Sequence, residues 1–291
     1  MRIAVIALGG NAVITPKEKG TVDQQIKHIN QTISHLRKLS KKYKLVITHG
    51  NGPEVGNLLI QQEKGKPEIP AMPLDVCDAM TQAQLGYFLQ NSVQNILKKK
   101  SVTVVTRILV NKNDKAFEKP TKPIGPFYKE KFEKNMIKEI YGWRKIVPSP
   151  KPKRIIEIEQ IKTLIKQGFI VIACGGGGIP VINDNGFKGV EAVIDKDYAS
   201  ELLATRLKAE LLVFLTDVGY VYLNYESKNP IAIRKMSIDE AKKMMYNFKE
   251  GSMKPKIEAS IKFLKGGKKV IITKPELLDK ALESKTGTVI T

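Results

Sequence analysis

Leu45-Val46-Ile47-Thr48-His49-Gly50-Asn51-Gly52-Pro53-Glu54-Val55-Gly56 reads as a strand running straight into a glycine loop. Its first four residues are β-favouring and do not alternate with polar ones. That is the pattern of a strand buried on both faces of a parallel sheet. Five further runs share it: 3–8, 102–106, 169–174, 211–216 and 270–273. Two of these also end in glycine, at Leu8-Gly9-Gly10-Asn11-Ala12 and at Cys174-Gly175-Gly176-Gly177-Gly178. In an open parallel sheet, ligands sit beyond the carboxyl ends of the strands. Glycine there lets backbone N–H groups approach an anion closely. One such loop is most simply a tight turn. Three of them, all after strands, point to one cleft that handles phosphates.

Amphipathic stretches lie between the runs. Thr21 and Gln24 form a capping box, and Ile26, Ile29, Ile33, Leu36 and Leu39 follow at helical spacing. Helices are also expected over 74–97, 157–167, 197–207 and 237–246, the last opened by a second capping box of Ser237 and Glu240. Pro255 and Pro275 each mark a first helical turn. This order predicts an α/β fold with helices on both faces of a mostly parallel sheet. Asn183-Asp184-Asn185-Gly186 reads as a turn between two short strands.

Segment 112–154 breaks the rhythm. It holds six prolines and carries 13 Lys and Arg against five Asp and Glu. We read it as an insertion with a small fold of its own, a lid, and not as a solvated excursion, because proline restricts φ.

A length of 291 residues suits two domains or one large α/β domain, and 42% hydrophobic residues exclude disorder as the main state. No run approaches the ~18 apolar residues of a membrane span, and 3–8 is too short for a signal-peptide core. Cys77 and Cys174 form neither a disulfide framework nor a zinc spacing, and read as reduced thiols of a cytoplasmic protein. The net charge of +20 raises the question of nucleic acid. Only seven of the 49 basic residues are Arg, however, and the lysines are dispersed along the chain. Base readers and phosphate clamps favour Arg's planar fork, so nucleic-acid binding is set aside as the main function.

Common nucleotide motifs are missing. Val55 stands where the dinucleotide fingerprint needs glycine, and neither a Walker-type loop nor the protein-kinase set occurs. Three lysines stand out instead. Lys196 falls at a helix start between Asp195 and Asp197, where an unpaired cation would be unfavourable. Lys256 follows Pro255 at another helix start, and Lys122 is flanked by Pro120 and Pro123. Two lysines near helix starts make a phosphate-accepting anion hole. His49 is expected to serve a structural hydrogen bond. Asp217, at a strand end, either positions nucleotide or magnesium or caps a turn.

In order along nearly the whole chain, several segments resemble the carbamate kinases of the amino acid kinase superfamily. They are 7–12, 49–53, Asp78-Ala79-Met80-Thr81-Gln82, 121–127, Trp143-Arg144-Lys145-Ile146-Val147-Pro148-Ser149-Pro150, the four glycines, 189–197, Leu215-Thr216-Asp217-Val218 and 253–256. The resemblance implies a three-layer α/β/α sandwich around a mainly parallel eight-stranded sheet, with a small protruding subdomain at about 112–154. It implies a carbamate-binding half at 1–175, a nucleotide-binding half at 176–291, and a homodimer. The implied reaction is phosphoryl transfer between ATP and carbamate. Magnesium would be bound through the nucleotide phosphates, with no metal site of the protein's own.

Catalytic roles carry over to Lys122, Lys196 and Lys256, with Asp195 organising the lysines. Most of the superfamily has a lysine just before the first glycine loop; here Ala7 and Leu8 stand there, and Lys122 is the implied substitute. Gly9, Gly10, Asn11, Gly50, Asn51 and Gly52 would present N–H groups to the acceptor. Gly176, Gly177, Thr216, Asp217, Val218, Tyr222, Met253 and Pro255 would hold the nucleotide. Glu54 stands where the family usually has Gln, Gly219 where Asp is common, the stretch from Tyr128 to Trp143 is shortened, and Lys254 is an added charge. An enzyme of the same fold acting on another small acid or phosphate is the neighbouring reading.

Overall fold

The computed structural model describes residues 2–10, 13–14, 18–139, 141–248 and 252–291. Asn11 lies outside the described residues. An eight-stranded sheet forms the centre, in the spatial order Lys235–Met236, Thr288–Ile290, Lys269–Thr273, Leu211–Leu215, Ile3–Leu8, Lys44–His49, Ile170–Ile172 and Ser101–Thr103. Every neighbouring pair is parallel except Lys269–Thr273 with Thr288–Ile290.

The six non-alternating runs all lie in this sheet, for the reason their pattern implied. Successive side chains of a strand point to opposite faces. Ala4, Ile6 and Leu8 pack with Ile29, Ile33, Leu36, Leu85 and Leu89 on one side. Ile3, Val5 and Ala7 pack with Ile161, Leu203 and Ile257 on the other. Both faces are therefore covered by helices, which gives the three layers.

The run expected over 102–106 is shorter, at Ser101–Thr103. Thr106 leaves the ladder because its N–H donates to the Gln82 side chain at 2.8 Å and its hydroxyl accepts from Cys174 N–H at 3.0 Å.

The helices keep their sequence signals. Both capping boxes are formed, at Val22–Ser34 and at Ile238–Met244. Leu74–Ser92 runs on through a π turn at Val93–Leu97 and stops at Lys98, whose φ is +56°. The expected turn at 183–186 joins Ile179–Asn183 to Phe187–Gly189 in a second, four-stranded sheet.

The proline-rich insertion is a three-stranded antiparallel sheet, ordered Lys122–Tyr128, Gly142–Val147, Met136–Glu139. It rests on the helix Gly52–Gly65 through a glycine–glycine crossing. A Cβ on Gly56 would fall 1.8 Å from Gly125 Cα, and Gly125 itself has φ +73°. Arg144 Nε donates to the Gly125 carbonyl at 3.0 Å, and Lys145 pairs with Glu63 at 2.5 Å. The lid thus sits on the helix that begins at the second glycine loop.

Candidate active site

Strands Ile3–Leu8 and Leu211–Leu215 are neighbours, so the loops leaving their carboxyl ends emerge side by side. These loops meet the first turns of helices Lys196–Arg206 and Met253–Phe263 and the lid lysine around a cavity of about 220 Å³. Its walls include Gly9, Gly10, Thr216, Asp217 and all three lysines expected to act. Small-molecule sites run to about 300–1,000 Å³, so this volume suits the reacting groups of a larger ligand.

Two aspartates organise the lysines. Asp195 caps its helix: Oδ1 accepts Asp197 N–H at 2.9 Å, while Oδ2 accepts Lys122 Nζ at 2.5 Å. One carboxylate therefore fixes a helix start and the lid lysine together. Asp197 spans the other two, with Lys196 Nζ at 2.5 Å on Oδ1 and Lys256 Nζ at 3.1 Å on Oδ2. Lys256 also donates to the Ser252 carbonyl at 3.1 Å.

Burial alone would raise the Asp197 carboxyl, but the two ammonium groups hold it well below the usual carboxylate range. Burial lowers Lys196, aided by neighbouring Lys256 and only partly opposed by Asp197. Burial also acts against Lys256, yet Asp197, with Asp195 and Asp217 behind it, leaves its pKa raised. Cations that would be unfavourable at helix N-termini are kept there by paired carboxylates. The result is a compact group of donors ready to exchange carboxylate oxygens for phosphate oxygens.

The acceptor loop adjoins this group. A Cβ on Gly50 would stand 3.2 Å from the Lys196 side chain. Asn51 is locked from below: its Nδ2 donates to Asp78 Oδ1 at 3.0 Å and to Thr81 Oγ1 at 2.8 Å. Burial pushes the Asp78 carboxyl up to about 8, opposed by the Asn51 bond. Burial likewise pushes Glu54, in the first turn of Gly52–Gly65, up to about 7.

The expectation that every glycine of these loops offers its N–H needs correction. Gly9 N–H is already donated to the Leu215 carbonyl at 2.9 Å, and Gly50 N–H to the Leu8 carbonyl at 3.3 Å. Both bonds join adjacent central strands at their carboxyl ends. Gly52 opens a helix, where N–H groups lack an intrahelical partner, and Gly10 lies on the cavity wall.

Gly176 and Gly177 lie apart from this cavity. They are buried and are not among the cavity walls. A Cβ on Gly176 would fall 2.3 Å from Asn51 Nδ2, and one on Gly177 2.0 Å from the Ile194 carbonyl. Their φ angles are +66° and +99°. These glycines let one loop pack closely against Asn51 of the acceptor loop and against the Ile194 backbone.

Thr216 and Asp217 do line the cavity, and Thr216 Oγ1 donates to Asp217 Oδ1 at 3.0 Å. Val218 lies beyond them, half-buried. Tyr222 stands in a ring cluster with Tyr220 and Tyr225, at 6.1 and 5.9 Å between centroids. Met253 and Pro255 open the helix that carries Lys256.

His49 is buried, and burial takes its pKa down to about 4, so the ring is neutral. Its Nδ1–H donates to the Gly50 carbonyl at 3.0 Å, the structural bond expected of it. Among the described residues no group of three or more His, Cys, Asp or Glu could hold a metal.

Sequence reasoning assigned the organising role to Asp195 and gave Asp197 only the part of neutralising Lys196. Its grip on Lys256, 59 residues away, exists only once the two helices meet. Asp78 and Thr81 were visible as a motif without a role; their signal is the bond to Asn51 across 27 and 30 residues.

The model of the amino acid kinase family matches residues 2–274. Carbamate kinases of Pyrococcus horikoshii and Thermococcus kodakarensis are each 45% identical, over 99% and 100% of this chain and 98% and 99% of their own lengths. The structure of carbamate kinase from Giardia lamblia bound to AMP-PNP superposes with a TM-score of 0.92 at 40% identity, covering 99% of this chain and 98% of that one. A structure of isopentenyl phosphate kinase, at 15% identity and a TM-score of 0.60, shares the fold.

Proposed function

The chain belongs to the amino acid kinase family, and from that premise we propose that it is a carbamate kinase, catalysing reversible phosphoryl transfer between ATP and carbamate to give ADP and carbamoyl phosphate. Full-length identity of 45% to carbamate kinases supports this reading. The observation that carries it in chemical terms is the cavity itself, where Lys122, Lys196 and Lys256 converge on Asp195 and Asp197.

Phosphoryl transfer asks for positioning and charge neutralisation, with little covalent work for the protein. A carbamate oxygen attacks the γ-phosphorus, and the bond to the β–γ bridging oxygen breaks as ADP leaves. Carbamate is already an anion, so no general base is needed. Lys196 and Lys256 hold the equatorial oxygens, and Lys122 closes over them from the lid, doing the work of the lysine that Ala7 and Leu8 do not supply. Asp195 and Asp197 keep the three ammonium groups aimed before substrate arrives. Gly10 and Gly52 offer N–H groups to the acceptor, and Asn51, locked by Asp78 and Thr81, holds that loop in place.

Nucleotide enters the 176–291 half beside Thr216 and Asp217, with Val218, Tyr222 and Met253 toward the base; the acceptor enters the 1–175 half. The donor set fits a magnesium ion arriving with the nucleotide: Asp217, on the cavity wall, is the carboxylate that would hold it. Magnesium usually takes one or two carboxylates plus phosphate oxygens, and when bound it neutralises phosphate charge. We assign the protein to the cytoplasm as a homodimer. Its free cysteines support that compartment, and no helix among the described residues is long and apolar enough to cross a membrane. No nucleic-acid partner is invoked.

Acceptor choice tests the reading. With ATP, ammonium plus bicarbonate should support turnover, and acetate should be used poorly. Acetylglutamate and UMP should not be used, because no Arg fork lies in the glycine loops to clamp a larger anion. Comparable efficiency with acetylglutamate or UMP would overturn the carbamate assignment.

A further inference from the structure

Lys196 and Lys256 are carried by the N-terminal turns of two different helices, and their separation must match a phosphoryl group. Asp197 ties them inside the cavity. That tie is made of the same ammonium groups that must turn to phosphate oxygens, so it weakens at the step where spacing counts most.

A second tie stands outside the cavity walls, two residues further along each helix. The Tyr198 hydroxyl donates to Glu258 Oε2. Lys151 Nζ lies 3.5 Å from the Tyr198 ring centroid and 3.8 Å from Glu258 Oε2. A hydroxyl bound to a carboxylate is among the stronger hydrogen bonds, and substrate phosphate does not compete for this one. Lys151 belongs to the returning limb of the lid. Its N–H donates to Asp114 Oδ2 at 3.1 Å, joining the lid's exit to its entry, and the nearby Pro148 carbonyl accepts Val193 N–H at 3.0 Å, two residues before Asp195. The three segments that carry Lys122, Lys196 and Lys256 therefore meet at this point.

We propose that Tyr198 and Glu258, with Lys151 from the lid, are positioning residues that hold the spacing of Lys196 and Lys256 while these lysines let go of Asp197 and take up the phosphoryl group. This rests on the phosphoryl transfer inferred above. None of the three lines the cavity. Their effect should therefore appear in kcat and leave nucleotide binding nearly unchanged.

Four variants, Tyr198→Phe, Glu258→Ala, Glu258→Gln and Lys151→Met, are to be compared for ATP formation from ADP and carbamoyl phosphate. A misplacement of 1 Å costs about 10² in rate, and a relaxed brace shifts Lys256 by less. Tyr198→Phe and Glu258→Ala should therefore lower kcat about tenfold with the KM for ADP within about twofold of wild type, and Lys151→Met should lower kcat about threefold. Glu258→Gln, whose amide oxygen still accepts the phenol, should recover most of the loss. The double variant Tyr198→Phe/Glu258→Ala should be no slower than either single one, because both remove the same contact.

Crystal structures of wild type and Glu258→Ala with inorganic phosphate in the cavity, which need no turnover, should differ in the separation of Lys196 and Lys256. Wild-type kcat in variants that merely melt earlier, additive losses in the double variant, or the same lysine separation with phosphate bound in both proteins would each overturn the proposal. If the wild-type protein makes no ATP, the functional reading fails, and the structure of Glu258→Ala still decides for or against the brace.

Discussion

Replacing Asp197 by Asn removes a charge and almost no volume. In the native protein this carboxylate is 5% exposed and faces side chains of Lys196 and Lys256 that are 16% and 10% exposed. Removing one partner from a buried ion pair costs about 3–5 kcal/mol. The Asn amide oxygen still serves one lysine, so the lower end, about 3 kcal/mol, applies. Because both lysines leave Asp197 for phosphate in the transition state, this energy measures how firmly Asp197 aims them beforehand, and two mis-aimed donors act as a unit, so their losses do not add. We expect kcat/KM to fall roughly 10²–10³-fold.

The pH profile should change as well. Lys196 already lies below its ordinary pKa because burial disfavours its charge, and Asp197 is the largest influence opposing that. Without Asp197, Lys196 loses its proton at lower pH. It is active as the ammonium, so the variant's rate should fall with rising pH where wild type is still flat. Stability gives a second reading. The folded Asp197 carboxyl lies below its unfolded value of about 3.9. Its contribution is therefore complete above that pH and is lost as pH falls toward the folded value. Acid unfolding of wild type should show that loss, and of Asp197→Asn should not. A steady-state coupled assay across pH, with circular dichroism at each point, makes the measurement. Turnover within about threefold of wild type and no new alkaline limb would refute the bridging role.

Lys122→Ala should lower turnover by roughly 10²–10³ with the melting temperature little changed, because the side chain sits on the lid and is 28% exposed; full activity would mean that Lys122 does not replace the lysine absent before Gly9. Gly56→Ala should be inactive to a similar degree for a different reason, since the new methyl would collide with the Gly125 backbone and lift the lid strand; wild-type turnover there would show that docking of the lid on this helix is unnecessary.

Much of the architecture could be read because both sheet faces are covered. Continuous apolar runs such as Ile3–Leu8 and Leu211–Leu215 have no other comfortable place. The edge strand Lys235–Met236 and its neighbour Thr288–Ile290 were not legible, being two and three residues long, too short for any period to register. In the lid, prolines 123 and 126 lie within a strand of a small sheet, which local preference disfavours and only pairing with Gly142–Val147 reveals.

Site residues divide along the same line. Lys196 was conspicuous because a cation at a helix start demands a reason, and Asp195 supplied the cap. Lys122 became meaningful through the family likeness, and its contact with Asp195 spans 73 residues. The packing role of the four-glycine loop was not legible because sequence cannot distinguish a glycine that makes room for a ligand from one that makes room for another loop. Gly176 makes room for Asn51.

The most direct measurement is ATP formation from ADP and carbamoyl phosphate by the wild-type protein and by Lys256→Ala, assayed side by side. The account predicts ready ATP formation by wild type and a loss of roughly 10²–10³ in the variant, with its fold retained. No ATP from the folded wild-type protein, or equal rates from the two, would contradict it.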